Sequence, residues 1–444
     1  MNGGALAYDD TPPFSAPLRF FLTAPLFGLA AGVVLLMQGD ALGSRWTPAA
    51  LAVVHLLTTG LMLQVMTGAL MQILPVVAGA PLPAALRVAS LSHLGLSAGA
   101  IALSWGLGRS EPQAMLTGGA LLGAGLLVFL VAALLGLRQA PLVSGLSRTP
   151  RDLRLALAGL VVTAVLGMLL TLVLALGVAL PLPLPVLVDL HVGWGWMGWG
   201  GALLAATSWV VVLMFQITPA YPSALTRFWV PAVGTTLLLW SVAQGFAAAT
   251  LTGMAVLGAL ALLFAFATLR LQARSRRSTP DASFLAFRDG MLSMMGGVAA
   301  VALAWFSDEA LWPVLAGVLI LHGGFVGVIS AMLYKIVPFL AWLHLTQAGL
   351  KAPNMKKLLP DRPVRRQLQL HRIALLALML AALVEALGTA PGMSPRVAGL
   401  LLIGEFGWLG ANLLRVTRAW HRAGGRAGTN SPHAGLGHEE EETR

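Results

Sequence analysis

Residues 47–78 read TPAALAVVHLLTTGLMLQVMTGALMQILPVVA, one long apolar run whose single ionisable side chain is His55. At ~1.5 Å rise per residue, about 20 apolar residues cross the ~30 Å hydrocarbon layer of a bilayer. The run therefore reads as a membrane-spanning helix, and an imidazole inside such a span is expensive enough to be read as functional. Two later stretches repeat the plan. Residues 186–219 carry His191 and close on Gln216-Ile217-Thr218-Pro219; residues 312–338 carry His322 and Gly327 and close on Lys335-Ile336-Val337-Pro338, just as the first closes on Gln72-Ile73-Leu74-Pro75. The three histidines recur at nearly equal intervals along the chain. This is an internal repeat, and it sets the expected architecture.

The whole chain agrees with a membrane reading: of 444 residues 57% are hydrophobic and 10% charged, with 50 glycines. A mean hydropathy of +0.82 excludes an ordinary soluble domain. Without a single cysteine the chain has no disulfide, thiolate or iron–sulfur chemistry, so any metal must be held by His, Met or carboxylate. The formal net charge of +11 is distributed over short loops between apolar runs, which fits membrane topology and argues against a nucleic-acid partner.

Twelve apolar runs can be counted, at about 18–38, 47–76, 84–107, 113–137, 153–180, 185–217, 228–249, 251–270, 285–307, 312–342, 368–388 and 396–419. The expected fold is all-α: one transmembrane domain over 1–444, a bundle of 12 transmembrane helices in three four-helix pseudo-repeats at about 16–137, 151–271 and 284–420. With the N-terminus inside, the inner loops hold Arg87, Arg138, Arg148, Arg151, Arg154, Arg227, Arg270, Arg274, Arg276, Arg277 and the 351–366 basic cluster, against Arg45, Arg109 and Arg396 outside. Both termini are accordingly expected in the cytoplasm of a bacterial-type inner membrane, crossed many times. Residues 421–444 read as a disordered cytoplasmic tail.

This topology sets His55, His191 and His322 in the outer half of the membrane on similar helix faces, because their distances from the closing prolines differ by multiples of four. His93, His344 and His371 fall in the inner half. Two imidazoles facing each other across a bundle can hold a haem iron axially. His55 and His322 suit that role, since Gly60 and Gly327 each follow five residues later and leave room for a flat ring. The alternative for each histidine is a hydrogen bond to a backbone carbonyl or a hydroxyl. Asp189, two residues before His191, is a candidate to orient that ring. Trp194, Trp196 and Trp199 read either as a cofactor wall or as an interfacial aromatic belt. His191, His93, His344 and His371 are further candidate metal ligands, the inner three equally readable as interfacial histidines. Glu385 and Glu405 lie in apolar runs, where a carboxylate needs a partner or water.

In residue detail the second span and its exit, His55-Leu-Leu to Gly68-Ala69 and then Leu74-Pro75-Val-Val-Ala-Gly79-Ala80-Pro81, resemble the low-spin haem helix and following turn of haem–copper oxidase subunit I. Elsewhere the chain resembles the related NnrS family of haem- and copper-containing membrane proteins. His322, Gly327, Met332 and His344 match that family's two tenth-helix histidines with Gly and Met between them, and Arg19-Phe20-Phe21 its first-helix opening. The oxidase copper–tyrosine site is missing: Gly195 stands four residues after His191, and His322 is followed by Gly323-Gly324. What the resemblance implies is a membrane protein binding haem b, with copper as a further candidate, that transfers electrons or handles nitric oxide or a similar small gas. A quinol or cytochrome is then the expected electron donor, and any catalysis oxidoreductase-like. Two other readings stay open. One is a proton-coupled secondary transporter using the in-membrane His residues, Lys335, Glu385 and Glu405; the other is an assembly or anchoring subunit with vestigial sites.

Overall fold

In a computed structural model, which describes residues 11–140, 148–350, 352–389 and 392–428, the chain is all-helical. The long helices are α1 (Ser15–Met37), α2 (Pro48–Ala78), α3 (Ala85–Arg109), α4 (Pro112–Gln139), α5 (Thr149–Leu176), α6 (Leu184–Gln216), α7 (Ser223–Val242), α8 (Ala247–Ala273), α9 (Ala282–Phe306) and α10 (Leu311–Gln347). A one-turn helix, α11 (Met355–Leu358), precedes α12 (Asp361–Leu387) and α13 (Met393–Gly428). Eleven of these, all but α7 and α11, are long and apolar enough to cross a membrane. Large apolar side chains on their outer faces, such as Leu94, Leu262 and Leu376, stay exposed as lipid-facing residues do.

Helix ends follow local chemistry. Thr47 caps α2 by accepting from Ala50 N at 3.1 Å ahead of Pro48, and Gly79, in the left-handed region at φ 61°, ends it. The prolines expected to close the repeats do not all do so. Pro75 lies inside α2, and Pro338 lies inside α10, which continues to Gln347. The tail departs from expectation too: α13 stays helical to Gly428, so 421–428 belong to the helix, while 429–444 lie outside the described residues.

Neighbouring long helices pack in chain order around a closed ring, α13 returning to α1. There Gly32 and Gly399 face each other so closely that a Cβ on either would lie within 2.7 Å of the other's carbonyl oxygen, the small-residue contact that lets membrane helices approach. Three helices make the interior. In their most apolar stretches α10 is 78% buried, α2 67% and α6 56%, against 50% or less for every other span. They touch pairwise: α2 meets α10 directly, α2 meets α6 through His55 and His191, and Phe325 of α10 abuts Gly200 of α6.

The same three helices share a backbone irregularity. Each contains a π-helical segment, Leu56–Met62 in α2, Trp194–Gly201 in α6 and Val318–Val326 in α10, and each segment contains or closely follows the repeat histidine. A π turn inserts a residue into the 3.6-residue register, rotates the following helix face and is commonly associated with functional sites. Spacing counted on a straight helix therefore misjudges which faces meet.

Candidate metal centre

Three helices from the C-terminal part of the chain bring His322 (α10), His371 (α12) and Glu405 (α13) together in the protein interior, at 2%, 4% and 0% exposure. His371 Nδ1 donates to Glu405 Oε1 at 2.8 Å. His322 Nε2 lies 3.3 Å from Glu405 Oε2, and the two imidazole centroids are 4.8 Å apart. One donor atom from each residue falls within 4.8 Å of the others. Both nitrogens of His322 and Oε2 of Glu405 carry no hydrogen bond among the described residues. Leaving such atoms unpaired in a dry interior costs roughly 1–3 kcal/mol apiece, and such groups call for an explanation. A cation bound between them supplies one.

Packing holds this arrangement. A Cβ on Gly327 would lie 2.8 Å from His371 Nε2, so the missing side chain on α10 is what admits the α12 imidazole. Phe406 stands edge-on to His322, with centroids 6.2 Å apart. Beneath the trio, Tyr334 Oη donates to Gln367 Oε1 at 3.1 Å and accepts from Asn412 Nδ2 at 3.0 Å. A cavity of about 10 Å³, lined in part by His371, Gly327, Ser330, Tyr334 and Gln367, has room for roughly one water molecule.

The expected axial pair is not brought together. His55 sits opposite His191, with ring centroids 6.5 Å apart and planes 11° from parallel, while His322 belongs to the trio. The ring space expected beside Gly60 is taken by Phe27, to which a Cβ there would approach within 2.4 Å, and that beside Gly327 by His371. Haem b between His55 and His322 does not fit this packing. Nor does His371 lie across the membrane from His322. Helix α12 begins at Asp361, well before the apolar run at 368, so His371 is already deep in the helix and level with the π segment of α10.

The remaining candidates have ordinary partners. His93 hydrogen-bonds Thr23 Oγ1 at 2.8 Å and meets Phe20 edge-on. His344 has Nδ1 on Leu340 O and Nε2 near Pro12 O, at 2.9 and 3.0 Å, and stacks on Phe14. Asp189 pairs with Arg45 at 2.7 Å and leaves His191 to the carbonyl of Thr163. Trp194 and Trp199 are buried inside the bundle, Trp194 donating to Ser241 Oγ, which is not the placement of a lipid-facing belt. Glu385 accepts from Gly392 N at 2.8 Å near the far end of α12. Lys335 joins Asp281 and Arg277 in an ion-paired group at the start of α9. Tyr334, Gln367 and Asn412 gave no sequence signal, since single polar residues in apolar runs are legible only once a neighbour is known.

No protein-family model matches the chain, and no curated protein is similar enough to be counted a relative.

Proposed function

We propose that this protein is a multi-pass membrane metalloprotein whose working centre is one divalent first-row transition-metal ion held by His322, His371 and Glu405. The observation that carries the reading is the convergence of two imidazoles and a carboxylate, fully buried, with both nitrogens of His322 and one oxygen of Glu405 left unpaired. Two histidines and one carboxylate form the protein ligand set of zinc hydrolase sites and of non-haem iron sites, both of which keep coordination positions open for an outside ligand. Set inside a bilayer, such a centre suits a small uncharged ligand that reaches it through the apolar interior. This joins the reading to the electron transfer or small-gas handling implied by the oxidase and NnrS resemblance, with a single metal ion in place of the expected haem. A multi-pass inner-membrane location with both ends inside, twelve spans and three rotationally related quartets belong to the same reading. The π segments at all three repeat histidines support it.

The test is metal loading of the purified chain. Cobalt(II) should bind in one equivalent at the trio and give a visible ligand-field spectrum, and His322→Ala, His371→Ala and Glu405→Gln should each remove that spectrum. If cobalt, iron and zinc all fail to bind the wild type at the trio, the metal reading is wrong. Proton-coupled transport then moves ahead, favoured by the His371–Glu405 hydrogen bond as a buried holder of a proton.

A further inference from the structure

Near the start of α12 and in the later part of α13, two arginines share one indole. Arg366 Cζ stands 5.0 Å from the centroid of Trp408, and Arg415 Cζ 5.4 Å from it. Trp408 is itself fixed from α12, its Nε1 donating to Pro363 O at 3.0 Å. Arg415 also donates to Asn412 Oδ1 at 3.1 Å. Each guanidinium is thus held in place by contacts that orient it without neutralising it.

Positive charge is what this arrangement leaves over. The two guanidiniums lie at most about 10 Å apart, roughly a Debye length at physiological salt, so they repel. Both are exposed, and among the described residues neither has a carboxylate within ion-pair distance. Arg362, one turn before Arg366, and Arg418, one turn after Arg415, add exposed charge of the same sign. Elsewhere acids answer the bases: Asp281 meets Lys335 and Arg277, Asp289 meets Arg372, and Asp189 meets Arg45. At Trp408 the missing partner is an anion.

The neighbouring surface is that of a lipid. Arg366 shares a helix face with Ile373, Leu376 and Leu380, about two, three and four turns further along α12. These three are 51%, 56% and 51% exposed. On α13, Trp408 shares a face with Gly404, Leu400 and Val397, and a Cβ on Gly404 would meet nothing within 4 Å. An apolar strip therefore climbs away from the arginines on the outside of each helix.

We infer that Arg366, Arg415 and Trp408 form a headgroup site for one anionic phospholipid, its phosphate between the two guanidiniums and its acyl chains along the α12 and α13 strips. A planar guanidinium matches phosphate in charge and in hydrogen-bond geometry. Tryptophan favours the headgroup level, and basic pockets between spans bind anionic headgroups. A zwitterionic lipid brings an ammonium that the arginines repel, so the site selects net negative charge. Free phosphate lacks the chains and gains little from exposed arginines in water. On the orientation proposed above, this end meets the cytoplasmic leaflet; the site itself does not rest on the metal centre. Asn412 carries the contact inward by donating to Tyr334 Oη at 3.0 Å, so the bound lipid braces the wall formed by α10, α12 and α13.

The full-length protein is reconstituted in nanodiscs with equal amounts of phosphatidylglycerol and phosphatidylcholine bearing the same chains, then released into detergent. Native mass spectrometry counts the lipids retained. Wild type should keep one phosphatidylglycerol in preference to phosphatidylcholine. Arg366→Gln and Arg415→Gln should each lower that retention about 5-fold, the effect expected of one basic residue at a membrane surface. Arg366→Lys and Arg415→Lys keep the charge and should lose less, which separates lost charge from lost packing. Arg87→Gln, exposed at the start of α3, should retain the lipid as wild type does. All variants are checked for an unchanged elution volume, and excess inorganic phosphate should not displace the lipid. The proposal is overturned if wild type keeps no lipid or keeps phosphatidylcholine as readily, or if the Arg366→Gln and Arg415→Gln variants match wild type. It is overturned too if Arg87→Gln loses as much as they do, or if inorganic phosphate displaces the lipid. Cobalt(II) enters no arm of this measurement, so failure here and failure of the metal centre are read apart.

Discussion

His371 Nδ1 donates to Glu405 Oε1 at 2.8 Å across the α12–α13 interface, with the two residues 4% and 0% exposed. A carboxylate at such a depth is tolerated only when partnered, and its second oxygen faces His322 at 3.3 Å. The two variants of Glu405 should therefore part company. Glu405→Ala leaves the His371 N–H unpaired and opens a cavity, costing about 2–5 kcal/mol. Glu405→Gln keeps shape and acceptor, and should cost less. Thermal unfolding in detergent, with and without cobalt(II), checks both effects. At 100 times Kd the metal should stabilise wild type by about 2.7 kcal/mol and Glu405→Gln hardly at all.

A Cβ on Gly327 would stand 2.8 Å from His371 Nε2, whereas one on Gly317, earlier in the same helix, would meet nothing within 4 Å. Gly327→Ala should displace the His371 ring and lower metal affinity by about 10-fold or more, as supporting changes around metal ligands do. Gly317→Ala should leave metal binding unchanged. Equal behaviour of the two variants in a cobalt titration would break the link between Gly327 and the site.

Asp281 caps α9 through Phe284 N at 2.9 Å and pairs with Lys335 and with Arg277. Burial alone would raise its pKa, but the Lys335 and Arg277 charges and the Phe284 N–H outweigh it and hold the carboxyl below its ordinary 3.8. A carboxyl depressed in the folded state contributes stability above its unfolded value, and loses it as the pH falls through the folded one. The wild type should lose this contribution below pH ~4. Asp281→Asn should be less stable at neutral pH and should show a shallower decline over that acid window. Melting temperatures at a series of pH values measure the difference.

The count of Arg and Lys in short loops predicts both ends inside. A reporter fused after Gly349, in the connection that follows α10, should be active only on the cytoplasmic face. Activity on the outer face would reverse the orientation and exchange the inner and outer ends of every span.

The sequence by itself determined the class of this protein, because crossing a hydrocarbon layer imposes length and apolarity on each helix separately and can be read one segment at a time. It also determined the three helices that matter. The repeated histidine spans are the most buried ones, and each carries a π segment near its histidine. Which histidine meets which was decided only by tertiary structure. His55 stands opposite His191, while His322 meets His371 and Glu405, and those pairings are set by how separate helices pack against one another. Depth was misjudged for a related reason: the polar first turns of α12, from Asp361, carry His371 further into the bundle than the apolar run alone implies. Glu405 stood out in the sequence as a costly carboxylate, yet its partners, His371 and His322, come from two other helices far from it in the chain. Contacts at that separation depend on how helices pack, and local pattern does not encode them.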